Sequence, residues 1–248
     1  MNIDDNTLQI LYGSMLGDGH IACKSLKGNA LFEEAHSLQQ RDYLQWKANF
    51  LRIFSPKIYQ TKQADKRNNK IYEKIVLYTK TSHFLTKIFP LFYSKFSVDE
   101  GSIKSNGKWI NKDNVKTIFD KIGALGLAVW FCDDGYYDYR GNVASVSAND
   151  FDTEALQYIV LWFNSNLGLN PKIVVKNKCT YLAFNVPDTK KFAGTIKSYI
   201  IEMPECVHYK CGPLIEKNKV FAEKAKQAQE QYRKRVKNNK KLYNKNYR

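Results

Sequence analysis

The stretch Leu11-Tyr12-Gly13-Ser14-Met15-Leu16-Gly17-Asp18-Gly19 decides the fold, because it returns as Leu127-Ala128-Val129-Trp130-Phe131-Cys132-Asp133-Asp134-Gly135. Each copy is an apolar helical run that closes on Asp-Gly. Glycine just past a helix is a C-cap signal, so each aspartate is expected on the last turn. A carboxylate there is opposed by the partially negative end of the helix dipole. Two such placements, one per half of the chain, point to a cation that both carboxylates serve. Small residues run along both helices, Gly13 and Gly17 in the first and Gly123, Ala124, Gly126 and Ala128 in the second. They allow two backbones to approach closely, which brings the two acidic ends together.

The repetition extends outward from these motifs. After Gly19 come a strand over 20–25, a turn at 27–29 and a strand over 30–34; after Gly135 come a strand over 136–139, a turn at 140–142 and a strand over 143–147. Amphipathic periodicity predicts helices over 40–54 and 153–167. Each is followed by the same tripeptide, Pro56-Lys57-Ile58 and Pro171-Lys172-Ile173, at the start of a hairpin. Those hairpins pair 57–61 with 71–79 and 172–176 with 180–186, and helices over 82–92 and 189–201 close the two halves. The expected fold is therefore α+β, with two pseudo-symmetric αββαββα halves at 1–96 and 118–216, a linker at 97–117 and a basic extension at 217–248.

Composition limits the function classes. The chain has 248 residues and 44% apolar content, enough for a sizeable core. Its longest near-continuous apolar run, 123–132, is half the roughly 20 residues that span a bilayer. The opening residues carry no basic start followed by an apolar stretch, so a secreted or membrane protein is not expected. The chain is expected to work where it is made, in a prokaryotic cytoplasm or inside an organelle that encodes it. Cys23, Cys132, Cys179, Cys206 and Cys211 are scattered and form no CxxC pair, which reads as reduced thiols rather than a zinc site. Net charge is +15, and residues 217–248, with 12 Lys/Arg against 2 Asp/Glu, hold ten of those fifteen charges. Such a balance implies a polyanionic partner, most simply nucleic acid. A solubilising extension is the alternative reading of the tail.

On these residues the chain resembles the LAGLIDADG homing endonucleases, in the branch that carries two motif copies on one chain. The first copy keeps Leu11, Gly13, Asp18 and Gly19 of the signature, and the second keeps Leu127, Ala128, Asp134 and Gly135. The second copy is similar to the "LAxWFxDDG" variant of members encoded in group I introns. The segment from Met203 to Lys210, ending in Tyr209-Lys210, resembles the family segment with a functional lysine. Tyr12, Ser14, Val129 and Trp130 depart from the small or aliphatic letters of the signature, so local repacking of the helix interface is expected.

The resemblance implies a saddle-shaped, monomeric DNA endonuclease that makes double-strand breaks with short 3′ overhangs at a long site. It implies Mg²⁺ as cofactor, with Mn²⁺ as a substitute. Asp18 and Asp134 would hold the metal, together with Gly17 and with Asp133 as a neighbouring or supporting carboxylate. Lys210 is the implied catalytic lysine of the second half. Its first-half counterpart is expected in the linker at Lys112, or failing that Lys104. One face of each sheet would meet double-stranded DNA, with His20, Lys24, Tyr59, Lys62, Lys74, Tyr137, Arg140, Lys172 and Lys176 as candidate contacts. An intron maturase, binding intron RNA on the same fold, is the alternative. Other nuclease chemistries fit less well: Asp65 and Glu73-x-Ile75 lack the lysine of a PD-(D/E)xK site, and the four histidines form no HNH arrangement.

Overall fold

Two helices, one from each half of the chain, form the centre of the molecule. Helix α1 (Asp5–Leu16) starts at Asp4, whose carboxylate accepts the Thr7 N–H at 2.9 Å. From Ile10 to Leu16 every residue of α1 is buried, as expected of a helix enclosed on all sides. Its partner in the second half, α5 (Ala124–Asp134), begins at Gly123, which has no side chain with which to cap the helix. Gln9 of α1 supplies the missing acceptor: its Oε1 receives the Gly123 N–H at 2.7 Å and the Gly126 N–H at 3.0 Å. The two backbones are in near contact. A β-carbon on Gly13 would lie 2.5 Å from the Gly126 carbonyl oxygen, and one on Gly17 would lie 2.4 Å from Asp133 Cβ.

The computed structural model describes residues 3–25, 27–64, 71–99, 102–105, 107–138, 141–214 and 230. In the first half, α1 is followed by β1 (His20–Ala22), β2 (Leu31–Ser37), α2 (Arg41–Phe50), β3 (Lys57–Ala64), β4 (Ile71–Tyr78) and α3 (His83–Phe92). A hairpin, β5 (Phe96–Asp99) and β6 (Ser102–Ser105), and α4 (Lys112–Phe119) lead into α5. The second half continues with β7 (Gly135–Asp138), β8 (Val143–Ser147), α6 (Thr153–Leu167), β9 (Lys172–Lys176), β10 (Cys179–Ala183) and α7 (Val186–Glu202), then a 3₁₀ segment, Glu205–Leu214. Both four-stranded sheets are antiparallel with the same order, β1-β2-β4-β3 and β7-β8-β10-β9. Equivalent anchors recur: the Thr86 hydroxyl accepts the Ala30 N–H at 2.8 Å, and the Thr189 hydroxyl accepts the Ala144 N–H at 2.9 Å. One continuous apolar core joins the two halves through α1 and α5. Among the described residues no helix is long and apolar enough to cross a membrane.

The helix ends differ in detail from the sequence reading. Asp134 is the last residue of α5, but α1 stops at Leu16 with Gly17 as its cap, so Asp18 lies one residue beyond. Neither Gly19 nor Gly135 has positive φ. They are glycines because of crowding: a β-carbon would lie 2.7 Å from Phe32 Cε2 at Gly19, and 2.3 Å from the Phe131 carbonyl oxygen at Gly135. Tyr12 and Trp130 leave the α1–α5 interface instead of filling it. Tyr12 packs edge-on against Phe92 and Trp130 edge-on against Phe119, so each bulky ring enters the core of its own half.

The Gly13 contact is with backbone, which cannot move aside. Gly13→Ala is expected to cost about 1–3 kcal/mol in urea unfolding. Gly194→Ala in α7, where a β-carbon meets nothing within 4 Å, is expected to be stabilising by up to about 1 kcal/mol.

Candidate nucleic-acid interface and acidic centre

Strand alternation divides each sheet into a helix-covered face and an outer face. In the first sheet Ile21, Phe32, Ile75 and Leu77 are buried beneath helices. His20, Glu33, Ala35, Ser37, Tyr59, Thr61, Lys74 and Val76 share the opposite face by register. In the second sheet Tyr137, Ala144, Val146 and Leu182 are buried, which puts Tyr136, Ser145, Ser147, Tyr181, Lys172 and Lys176 outside.

Of the residues expected to meet DNA, His20, Tyr59, Lys74, Lys172 and Lys176 therefore sit on outer faces. Lys24 is exposed just beyond β1, where its carbonyl accepts the Ile103 N–H at 2.8 Å. Two expectations are corrected. Tyr137 is only 4% exposed and turns under its sheet, whereas its neighbour Tyr136 is 58% exposed; a one-residue phase error exchanges the faces. Tyr136 could have been found from the motif, since it follows Asp134 by two residues as His20 follows Asp18. Lys62 pairs in register with Glu73 on the helix-side pleat, past the helices, and forms an exposed ion pair with it at 3.4 Å. Arg140 and the extension 217–248, apart from residue 230, lie outside the described residues.

The α1–α5 contact brings Asp18 and Asp134 into electrostatic range of each other. Burial pushes Asp134 up to about 6, and the charge of Asp18 adds to the shift; Lys108 and Lys210 oppose it. Asp18 is 41% exposed, with His36 Nδ1 at 3.7 Å. No hydrogen-bond donor among the described residues meets the Asp134 carboxylate. A lysine stands beside each acid. Lys210 donates to the carbonyls of Asp133 (2.9 Å) and Gly135 (3.1 Å). Lys108 donates to the carbonyls of Met15 (3.1 Å) and Gly17, and lies 3.5 Å from Asp150. The lysine expected at Lys112 is corrected accordingly: as the first residue of α4 it points outward and pairs with Glu154 at 3.3 Å, both side chains being exposed. Lys104 is exposed on β6. Sequence reasoning missed Lys108, although Lys108-Trp109, like Tyr209-Lys210, sets a lysine beside an aromatic ring after the closing helix of its half.

Behind the acids lies a buried charged cluster. Lys47 of α2 donates to both carboxylate oxygens of Asp133 at 2.8 Å and to Glu34. Tyr43 donates to Asp133 at 3.0 Å, and His36 Nε2 lies 2.6 Å from Glu34. Burial disfavours the charge on Lys47, but Asp133 and Glu34 outweigh it and hold its pKa above the ordinary value. Burial likewise raises Glu34, yet Lys47 and His36 bring its carboxyl below the usual range. Asp133 is driven upward by burial, against the pull of Lys47 and with help from Glu34 and Asp18. Ligand atoms of Asp18, His36 and Asp133 lie within 4.8 Å of one another. Both Asp133 oxygens are taken by Lys47, which gives this carboxylate a structural partner, and the Gly17 carbonyl is taken by Lys108. Asp133 is the second half's one contribution, and its four partners come from the first half without polar equivalents in the second. With His20–Glu33 and Tyr136–Ser145 as equivalent pairs, the counterparts of Glu34, His36, Tyr43 and Lys47 are Val146, Ala148, Ala155 and Ile159, all buried and apolar.

Comparison with known proteins places this architecture. The model of the LAGLIDADG DNA endonuclease family matches residues 8–192. The cytochrome b mRNA maturase bI2 of Saccharomyces cerevisiae is 29% identical over 178 residues, covering 70% of this chain; the match spans only 39% of the maturase. The probable intron-encoded DNA endonuclease 3 of Mycosarcoma maydis is 26% identical over 114 residues, covering 46% of this chain and 77% of that protein. The solved structure of the homing endonuclease I-WcaI bound to its DNA recognition sequence superposes with a TM-score of 0.69 at 16% identity, covering 85% of this chain and 88% of that one. At that identity the likeness establishes the fold, a two-lobed saddle of mixed helix and antiparallel sheet.

The raised pKa of Asp134 makes a pH-dependent prediction. The folded state holds this proton more tightly than the unfolded chain, so the associated stability is present below about pH 4 and lost as pH rises through about 6. Asp134→Asn is expected to be more stable than the parent at pH 8 by about 1–2 kcal/mol after solvent screening, with no difference at pH 4; denaturant titrations at both pH values measure it. Lys47→Met leaves Asp133 and Glu34 buried without their cation and is expected to cost about 3–5 kcal/mol.

Proposed function

This chain belongs to the LAGLIDADG DNA endonuclease family, and on that premise we propose that it is a site-specific DNA endonuclease acting as a monomer. The duplex lies across the outer faces of the two sheets, and each lobe, at 1–96 and 118–216, serves one strand. The observation that carries this reading is the meeting of Asp18 and Asp134 at the ends of two packed helices, with a lysine anchored beside each.

The donor set suits a hard divalent cation. Burial and the charge of Asp18 raise the cost of ionising Asp134, and Asp134 has no hydrogen-bond donor among the described residues to offset it. Oxygen ligands of this kind, one or two carboxylates completed by water and phosphate, favour Mg²⁺, with Mn²⁺ as a substitute. Such an ion, when bound, neutralises phosphate charge and lowers the pKa of a coordinated water. Asp18 and Asp134 hold that charge at the helix interface. Lys108 and Lys210, tethered through backbone carbonyls on either side, each add a positive charge where negative charge grows on the phosphate. His20, Tyr59, Lys74, Tyr136, Lys172 and Lys176 contact the duplex, the lysines giving affinity and salt dependence more than sequence choice. The product is a double-strand break with short 3′ overhangs.

The 29% identity with a cytochrome b mRNA maturase favours a second reading, an RNA-binding splicing cofactor. The two retained acids favour the endonuclease, because RNA binding alone needs no paired metal-binding carboxylates.

Incubation with Mg²⁺ and a randomised duplex library, with sequencing of new ends, should yield cleaved sites carrying 3′ overhangs. Asp18→Asn and Asp134→Asn should each abolish double-strand cleavage while DNA binding persists; full cleavage by either variant overturns the assignment. Truncation after Glu216 should weaken DNA binding and flatten its dependence on salt.

A further inference from the structure

We propose that His20 is a neutral hydrogen-bond donor to a phosphate oxygen of the strand served by Asp18, and that Tyr93 fixes the imidazole tautomer that makes it one. The phosphate role rests on the endonuclease reading; the tautomer does not.

Tyr93 follows α3 and is fully buried. Its ring stacks on Phe89 with centroids 4.4 Å apart and planes 7° apart, and meets His20 edge-on at 5.5 Å. Its hydroxyl oxygen accepts the Ile21 N–H at 3.0 Å and lies 2.6 Å from His20 Nδ1. Among the described residues the phenolic hydrogen has no other acceptor, so it goes to Nδ1. An imidazole that accepts at Nδ1 carries its own hydrogen on Nε2. A buried phenol clamped by a stacked ring cannot swing to offer an alternative.

The hydrogen fixed on Nε2 points outward. His20 begins β1 on the outer face of the sheet, with its side chain 47% exposed, and lines one concave surface with Asp18 and Glu33. Glu33 lies 3.9 Å from Nε2, beyond hydrogen-bond range, so the donor is left unspent. Two residues past Asp18, it stands beside the reacting phosphate rather than farther along the groove. A directed, uncharged N–H can bind a phosphate oxygen there without forming an ion pair with Asp18 or Glu33.

The second lobe lacks the device. Counted from the equivalent Thr86 and Thr189, Phe89 corresponds to Phe192 but Tyr93 corresponds to the buried Ile196. His20 corresponds to Tyr136, whose hydroxyl is free to rotate. Loss of the donor should therefore be felt on one strand only.

Long-range ¹H–¹⁵N correlation spectra of the labelled protein should show His20 as the Nε2–H tautomer, and Tyr93→Phe should turn it into a mixture. In strand-resolved cleavage, His20→Gln puts an amide N–H near the Nε2 position and should stay within about threefold of the parent. His20→Asn, which reaches only the Nδ1 position, should slow the strand blocked by Asp18→Asn about tenfold and leave the other unchanged, so that nicked duplex accumulates. An Nδ1–H tautomer, equal slowing of both strands, or indistinguishable Gln and Asn variants would overturn the proposal. Should the parent cleave no duplex, the endonuclease reading and the phosphate role fall together, while the spectra still decide the tautomer.

Discussion

The near-contact of the α1 and α5 backbones is the constraint on which the rest of the structure depends. It exists because Gly13 faces Gly126 and Gly17 faces the Asp133 side chain, leaving room for no further carbon atom at either point. Glycine inside a helix carries a penalty of up to about 1 kcal/mol relative to alanine, so the presence of Gly13 in α1 and Gly126 in α5 has to be offset by what the contact provides. It provides two things. Gln9 reaches across to satisfy the amides at the start of α5, which its own glycine cannot cap. The acidic C-terminal ends are also carried side by side, where the burial of Asp134 and the charge of Asp18 act together.

The buried Lys47 cluster shows a second consequence of that contact. Asp133 belongs to one lobe, and Lys47, Tyr43 and Glu34 to the other, so the charges join the halves at the same interface the glycines create. A buried ion pair of this kind adds little net stability over a hydrocarbon core, but removing either partner is expensive, which makes it a device for fixing geometry. Its absence from the second lobe, where Val146, Ala148, Ala155 and Ile159 fill the corresponding space, makes the pseudo-symmetry one of backbone and not of electrostatics. Two acids at matched positions are thus supported by unlike surroundings. The Tyr93–His20 pair is a further difference of the same kind, placed at the first lobe's outer edge.

Much of the architecture was legible. The strand over 143–147 and the helix over 153–167 match β8 and α6, because a turn and an Asp152 cap bound them sharply. The αββαββα order followed from repeated motifs and from Pro-Lys-Ile at equivalent places. Tyr137 and Lys112 were misread for different reasons. Alternation alone leaves the phase of the strand at Tyr137 open, whereas the alignment of Asp18 with Asp134 ties Tyr136 to His20. Lys112 versus Lys108 was a choice among linker lysines that no periodicity governs, and only the folded path of β5, β6 and α4 brings Lys108 back to the Gly17 carbonyl.

The sequence by itself determined the two apolar helices that lead into Asp-Gly, the small residues that let those helices meet, and the alternation that forms the sheets, since each is a local pattern with a short reach along the chain. Only the tertiary structure decided which polar residues share an environment. Lys47 and Asp133 stand 86 positions apart, and Tyr93 and His20 73 apart. Their pairing depends on where whole elements pack, and burial sets the charge and hydrogen-bond state of each group after the chain has closed around it.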